Sequence, residues 1–175
     1  MVFSSLLFLI LFLPACLLCY YPAQRADDRT QGTAVRNGVL LVFSLFFYAW
    51  GELRCLPLLM LSALVDYLDG RLLERFDDRP GLRRLCLVVA LVINLSLLGW
   101  FKYADFLAGL LNHLPGVELP LPGIALPIGI SFYTFQTTSY SIDVYRREVP
   151  AEKNYFRYLT YVSMFPQLIA GPIVR

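Results

Sequence analysis

Long apolar runs are the feature that most restricts how this chain can fold. Six of them follow one another, separated by short charged segments. At about 1.5 Å per residue, a helix of about 20 residues crosses the roughly 30 Å hydrocarbon core of a bilayer. Because a lipid-embedded backbone must satisfy its own hydrogen bonds, such runs form helices. We therefore predict membrane-spanning helices near 3–21, 37–51, 55–68, 85–101, 124–144 and 158–174.

Composition supports an all-α, polytopic integral membrane protein with about six transmembrane helices. The chain is 58% hydrophobic and 16% charged, with a mean hydropathy of +0.60, whereas soluble domains are about a quarter charged. The net charge of +2 is too small to indicate nucleic acid as a partner. Membrane lipid is therefore the expected surrounding of this chain.

The third run, at 55–67, has only thirteen residues. It could be a tilted span extended by Leu68, or one half of a re-entrant hairpin. If every run crosses and the N-terminus is outside, the inside segments hold twelve Lys and Arg and the outside segments three, as expected of cytoplasmic loops. If the third run did not cross, the basic segments 25–36 and 70–84 would lie on opposite sides. The charge pattern therefore predicts a crossing.

The fifth run carries more polar side chains than a segment that faces only lipid needs. On a helix at about 100° per residue, Gln136, Ser139 and Asp143 share one sector. Arg146 and Arg147 follow Asp143 at i+3 and i+4, which predicts a structural ion pair. A mid-membrane amide is costly unless it faces protein or water, so Gln136 is the candidate for a polar pathway. A second sector suits a packing seam and consists of Ser131, Thr134, Thr138 and Ser141.

The sixth run breaks its own helix. Pro166 removes a backbone donor, and Gly171-Pro172 interrupts the helix again. Gln167 lies between the two breaks. Freed backbone groups at this depth are tolerated only against protein or a wet cavity. We therefore predict a channel or substrate-lining wall formed by Tyr133, Gln136, Ser139, Pro166 and Gln167.

Other polar residues in the apolar runs have a plainer interpretation. Asp66 and Asp69 share a helix face and could form the wall of a polar funnel, but pairing with Arg71 or with lipid headgroups is favoured. Asn94 and Ser96 are interpreted as helix-packing residues, because buried amides and hydroxyls commonly join helices to each other.

No catalytic residue and no metal site is predicted within this chain. The only histidine, His113, has no acid or nucleophile nearby in sequence and is interpreted as a surface residue at a helix end. P-loop, GxSxG and HExxH motifs are absent. The cysteines lie in apolar segments without polar neighbours, so packing is favoured over metal ligation; they are Cys16, Cys19, Cys55 and Cys86.

A set of motifs spread along the chain indicates a family. They are MVFSS at the start, FFYAW at 46–50, FKYADF at 101–106, LPIGISFYTFQ at 126–136, SIDVYRR at 141–147 and FPQLIAGPIVR at 165–175. Together they resemble the membrane-bound O-acyltransferase family, above all its bacterial polysaccharide branch, which O-acetylates alginate. The resemblance implies a ring of helices, incomplete here, around a thinned centre with a funnel from the outside. It also implies that an acyl group from a cytoplasmic donor is passed to an acceptor hydroxyl on the far face.

The resemblance also implies what lies beyond this chain. The family's catalytic histidine lies in a later helix than the last motif, and His113 does not match it. We therefore expect an N-terminal part of such an enzyme, either a fragment or the product of a truncated gene, that is inactive alone.

The resemblance further suggests the setting of the complete enzyme. The expected location is the bacterial inner membrane, with the N-terminus outside. Acetyl-CoA or an acyl carrier is the expected donor, no cofactor is expected to be bound, and a periplasmic polysaccharide acetylation protein is the expected partner. The alternatives are a transporter or channel fragment, a structural membrane subunit, and D-alanyl transfer to teichoic acid.

Overall fold

The computed structural model describes residues 6–30, 32–112, 127 and 129–170. These residues form helices and connecting turns, with no strand among them, so the predicted all-α fold is confirmed. A π-helical segment, Phe8–Phe12, leads into the first α-helix. The α-helices are α1 Leu13–Thr30, α2 Ala34–Glu52, α3 Leu56–Arg75, α4 Pro80–Leu111, α5 Ile130–Tyr145, α6 Tyr155–Ser163 and α7 Phe165–Ala170.

The described helices have the length and surface of membrane-embedded elements. Three stretches of the described chain are long and apolar enough to cross a membrane, namely Phe8–Arg25, Ala34–Arg75 and Pro80–Ala104. The second contains α2 and α3, which are separated at Glu52 (φ −149°, ψ 79°). Large apolar side chains point outward from these stretches, such as Leu18, which is 74% exposed. This exterior suits lipid rather than water, so the fold is that of an all-α membrane protein.

The helices continue beyond the apolar runs that predicted them. α1 passes through Pro22 and ends at Thr30. α3 contains 20 residues and ends at Arg75, which makes it about 30 Å long. The short third run is therefore the apolar part of a helix that is long enough to cross a bilayer.

α5 lies at the centre of the helix packing and contacts α3, α4, α6 and α7. α1 packs mainly on α2. An aromatic cluster joins the π-helical segment and α2 to α7 through Phe12, Phe47 and Phe165. Cys16 is buried in the same cluster, in agreement with its predicted packing role. The main core cluster includes Leu59, Ala63, Leu98, Ile130, Tyr133, Tyr158, Leu159 and Val162.

Three charged segments, each a loop with the start of the helix that follows it, meet at one end of the helices. We call this end the basic end (32–36, 76–84 and 146–157). Arg157 Nη2 donates to Thr33 Oγ1 at 3.3 Å. Arg147 Nε pairs with Asp77 Oδ1 at 3.0 Å. Because the loops after α1, α3 and α5 meet, successive helices alternate in direction. The basic segments 25–36 and 70–84 therefore lie at the same end, as the charge pattern predicts.

Candidate functional site at a broken helix

The break predicted in the sixth run lies between α6 and α7. α6 ends at Ser163, and Met164 has a non-helical conformation (φ −54°, ψ 114°) before α7 begins. Pro166 occupies the first turn of α7, where its missing N–H costs no helical hydrogen bond. The break is therefore compatible with a short helix on each side. The second predicted break, at Gly171-Pro172, lies outside the described residues.

Side chains from α2 and α5 bond the backbone groups at this break. In a continuous helix the Phe165 amide would donate to the Tyr161 carbonyl. Instead the Phe165 amide donates to Ser44 Oγ at 3.4 Å, and Gln136 Nε2 donates to the Tyr161 carbonyl at 3.0 Å. Ser44 is fully buried and Gln136 is 3% exposed. Since the bilayer core offers no water to these groups, both side chains stabilise the broken conformation.

The start of α5 fits closely against α7. Gly129 precedes α5 with a φ of 76°, in the left-handed region that glycine tolerates best. A Cβ atom at this position would lie 2.6 Å from the Leu168 carbonyl oxygen. Glycine is thus required both by the backbone conformation and by the approach of α7.

The residues predicted to line a channel differ in their exposure. Tyr133 and Gln136 are buried, at 2% and 3% exposed, and point into the helix packing. Ser139 and Gln167 are half-buried, whereas Pro166 is exposed. The structure therefore brings the first two together with the core, and leaves Pro166 on the surface of α7.

A pair of buried tyrosines lies at the end opposite the basic end. Tyr48 of α2 and Tyr133 of α5 are 3% and 2% exposed, and neither hydroxyl has a hydrogen-bond partner within the described part of the chain. Glu52 and Cys55 lie near both hydroxyls. Sequence reasoning missed Tyr48, although its place in the FFYAW motif was a signal.

A polar cluster lies between α3 and α4, and it contains the two carboxylates for which a polar funnel was considered but not favoured. Asn94 Nδ2 donates to Asp66 Oδ1, and Ser62 Oγ donates to Asn94 Oδ1 at 3.4 Å. Asp66 is 0% exposed and Asp69 is 5% exposed. Asn94 therefore joins two helices, as predicted. The available signal was two carboxylates at the end of one apolar run and an amide inside the next.

The favoured interpretation of these two carboxylates was wrong. Arg71 Nη1 pairs with Glu74 Oε2 at 3.2 Å, and both side chains are exposed. Asp66 and Asp69 instead point toward neighbouring helices and are shielded from headgroups by their burial. The face that the two aspartates share is thus an interior face, which the position of the run in the sequence did not show.

The structure also corrects the predicted ion pair of Asp143. α5 ends at Tyr145, and Arg147 has a φ of 63°, so Arg147 does not keep the helical spacing that its pairing requires. Arg146 keeps a helical backbone, but its side chain pairs with another residue. Arg146 Nε pairs with Glu148 Oε1 at 3.1 Å, and Arg147 Nε with Asp77 Oδ1 at 3.0 Å. Both arginines therefore stabilise loops of the basic end.

Asp143 instead borders a cavity at the basic end. The side chain is 8% exposed, and the cavity measures about 320 Å³. Its other lining residues include Tyr140, Glu152, Arg157 and Tyr158. The cavity thus combines tyrosine rings with charges of both signs, and it opens where the charged loops meet.

Comparison with known proteins points in the same direction as the motifs. Over its whole length the chain is 41% identical to proteins named probable alginate O-acetylase from Pseudomonas aeruginosa and Azotobacter vinelandii. It is 32% identical to a peptidoglycan O-acetyltransferase from Helicobacter pylori, again over its whole length. The chain is a relative of these O-acetylases. It spans about a third of their length, at 33%, 34% and 37% respectively.

These relatives confirm the predicted resemblance to membrane proteins of polysaccharide O-acetylation. No family model matches the chain, and no solved structure matches it significantly. His113 lies outside the described residues. The described part of this O-acetylase relative therefore contributes helices, a stabilised break and buried polar groups, and no histidine.

Proposed function

We propose that this chain is part of a bacterial membrane O-acyltransferase that passes an acyl group, acetyl, to hydroxyls of an exopolysaccharide such as alginate. The observation that carries the proposal is the similarity of the whole chain to proteins named for O-acetylation. Peptidoglycan is the second candidate acceptor, because one relative is named for it. No observation on this chain favours a transporter or D-alanyl transfer.

In this proposal the basic end faces the cytoplasm and the N-terminus lies outside the inner membrane. The concentration of Arg and Lys in the loops of that end supports this orientation. Acetyl-CoA or an acyl carrier would arrive there as the donor. The cavity beside Asp143 supports a donor site, because Arg157 at its edge suits a phosphate group. The acceptor and a periplasmic partner protein would bind at the opposite end.

The broken helix would form part of the wall between the two ends. Gln136 holds the break on the α5 side through the Tyr161 carbonyl. Tyr133 adds an unpartnered hydroxyl near the opposite end, where the sugar hydroxyls of an acceptor would need hydrogen bonds. Ser139, Pro166 and Gln167 complete the proposed wall.

The transfer itself needs a proton to move. The acceptor hydroxyl forms the new ester and loses its proton, while the donor leaves as a thiol that gains one. A general base speeds this exchange. The resemblance implies a histidine in a later helix for this role. The residues described here would bind and position the substrates and form part of the wall around them, without taking part in the reaction.

The complete gene should be tested in bacteria that make alginate without ester groups. Acetate released by mild base from purified alginate measures transfer, and a matched strain that lacks peptidoglycan O-acetylation measures the second acceptor. We expect ester on alginate. Ester on peptidoglycan alone would show that peptidoglycan, and not alginate, is the acceptor. Absence of ester on both polymers, with the protein present in the membrane, would contradict the proposed activity.

A further inference from the structure

Asp66 and Asp69 are buried carboxylates without a counter-ion in the described part of the chain. Arginines of α3 and α4 are engaged elsewhere, because Arg71 pairs with Glu74 and Arg83 with Asp77. Two ionised carboxylates one helical turn apart repel each other, and burial without a cation is costly for each. Something must therefore neutralise part of this charge.

The hydrogen bonds around the pair are too few for two ionised groups. Asp66 Oδ1 accepts from Asn94, but Asp66 Oδ2 and Asp69 Oδ2 have no partner among the described residues. An ionised carboxylate only accepts hydrogen bonds, whereas a protonated one also donates. With so few donors, a buried carboxylate favours its protonated form over its charged form.

Two hydroxyls on neighbouring helices face the same pair. Ser141 of α5 lies beside Asp69, and Tyr158 of α6 lies close to both carboxylates. They are 1% and 2% exposed, and neither hydroxyl has a partner within the described residues. Tyr158 and Ser141 are thus buried oxygens that a carboxylic acid O–H could use as acceptors. The remaining polar neighbours are Thr137 of α5 and Cys86 of α4.

A cavity on the surface of the helix packing reaches Asp69. It measures about 330 Å³ and lies between the halves of α3 and α4 that adjoin the loop at 76–79. Asp69 lines it, together with apolar residues such as Leu72 and Val89 and the thiol of Cys86. Asp69 is therefore the carboxylate that borders the cavity, and Asp66 lies one helical turn farther from the basic end.

We propose that Asp66 and Asp69 form a proton-binding site that exchanges its proton through Asp69, the carboxylate that borders this cavity. In the binding step, hydronium transfers its proton to a carboxylate oxygen and leaves as water, so the charge of the pair falls from −2 to −1. The new O–H then donates to a neighbouring buried oxygen. Because the pair lies where α3, α4, α5 and α6 meet, loss of the proton weakens the packing of these helices. This site is independent of the proposed acyl transfer.

Infrared spectroscopy of the purified full-length protein in lipid nanodiscs tests the site. We expect the C=O stretching band of a protonated carboxyl group at neutral pH, lost on titration to alkaline pH. The band should disappear in both Asp69→Asn and Asp66→Asn, since the two residues share the proton. It should persist in the control Glu74→Gln, whose carboxylate is exposed and paired with Arg71. A wild-type protein without this band at neutral pH would overturn the proposal.

A second measurement separates a proton from a metal cation and does not depend on the variants folding. The wild-type thermal unfolding temperature should fall as pH rises above neutral and should be the same in sodium and choline chloride. If sodium at fixed pH removes the infrared band or raises the unfolding temperature, the site binds a monovalent cation and the proton assignment is wrong. Where the asparagine variants fold, their unfolding temperature should lose this pH dependence.

Discussion

At the residue scale, polar side chains in the apolar runs form hydrogen bonds with backbone groups and with one another. Gln136 is the clearest case, because its amide donates to a carbonyl beside the break of the sixth run. The sequence predicted both a costly amide and a broken helix. The sequence could not show that this amide bonds a backbone carbonyl at the break. Gln136 and Tyr161 are 25 residues apart, and no spacing rule connects them.

Replacing Gln136 tests this hydrogen bond. Gln136→Leu removes the amide donor to the Tyr161 carbonyl and should lower the free energy of unfolding by about 1 kcal/mol. Thermal unfolding in detergent measures the loss. Phe135→Leu is the matched control, because Phe135 is 47% exposed on the same helix. Equal stability of the two variants would show that the Gln136 bond contributes nothing. In the complete protein, Gln136→Leu should also reduce acyl transfer without preventing membrane insertion.

Gly129 supports a second prediction at this scale. Gly129→Ala forces a Cβ toward the Leu168 carbonyl and strains a residue with positive φ, at a cost of about 1–3 kcal/mol. Gly99→Ala is the control, since a Cβ there meets nothing within 4 Å and alanine favours a helix. The two variants should shift the unfolding temperature in opposite directions. A destabilised Gly99→Ala alongside an unaffected Gly129→Ala would refute the close approach of α7.

At the scale of the elements, the positions at which helices end determine which side chains meet. The apolar runs of the sequence do not show these positions. The sequence correctly predicted the all-α class and the break in the sixth run. The helix ends predicted from the sequence were the ends of the apolar runs, whereas α1 and α3 continue to Thr30 and Arg75. Polar residues extend a helix at no cost once it leaves lipid. The continuation of α3 places Asp69 on a buried face of that helix. Arg147, which follows the end of α5 with a positive φ, does not keep the predicted spacing to Asp143.

The C-terminus of α5 is held by a buried arginine. Arg83 Nη2 donates to the carbonyls of Val144 and Tyr145 at 3.1 and 2.8 Å, groups that a helix end leaves without helical partners. Arg83→Met keeps the apolar length of the side chain but removes these donors. We expect a loss of about 2 kcal/mol in unfolding free energy, measured by thermal unfolding. Arg84→Met, at an exposed neighbouring position, should leave stability unchanged, and a similar loss there would argue against capping.

The connection between α1 and α2 should be sensitive to acid. Asp27 accepts from the amides of Val35 and Arg36 at 3.0 and 2.8 Å and from the Arg36 guanidinium. Burial alone would raise the pKa of Asp27, but the hydrogen bonds from Arg36 and Val35 outweigh it and lower this pKa. A lowered folded pKa means that the stabilisation is present above about pH 4, the ordinary value, and is lost as pH falls through the folded value.

Hydrogen exchange of the Val35 and Arg36 amides measures this connection. Protection should decrease as pH falls below about 4, after correction for the intrinsic exchange rate. Asp27→Asn should abolish the acid dependence and lower protection at neutral pH. Asp28→Asn is the control, because Asp28 makes no such bonds to α2. Unchanged protection in Asp27→Asn would show that the carboxylate does not hold the start of α2.

At the scale of the whole molecule, the chain has two chemically different ends joined by a broken helix. The basic end holds the Arg and Lys loops and a cavity of about 320 Å³, and the opposite end holds the buried tyrosine hydroxyls. Charge counting predicted the first end, because it depends only on the order of residues along the chain. The second depends on contacts between α2 and α5, which a single sequence does not contain.

The part of the enzyme that this chain represents predicts what it does when expressed by itself. It spans about a third of its O-acetylase relatives, and its described residues offer no histidine to act as the general base that ester formation needs. Residues 1–175 alone should therefore insert into the membrane yet add no ester to alginate, whereas the complete gene should restore it. Acetate released from alginate by mild base measures the ester in both strains. The amounts of residues 1–175 and of the complete protein in the membrane should be matched. Acetylation by residues 1–175 alone would place the reacting groups within this chain and overturn its role as a channel wall.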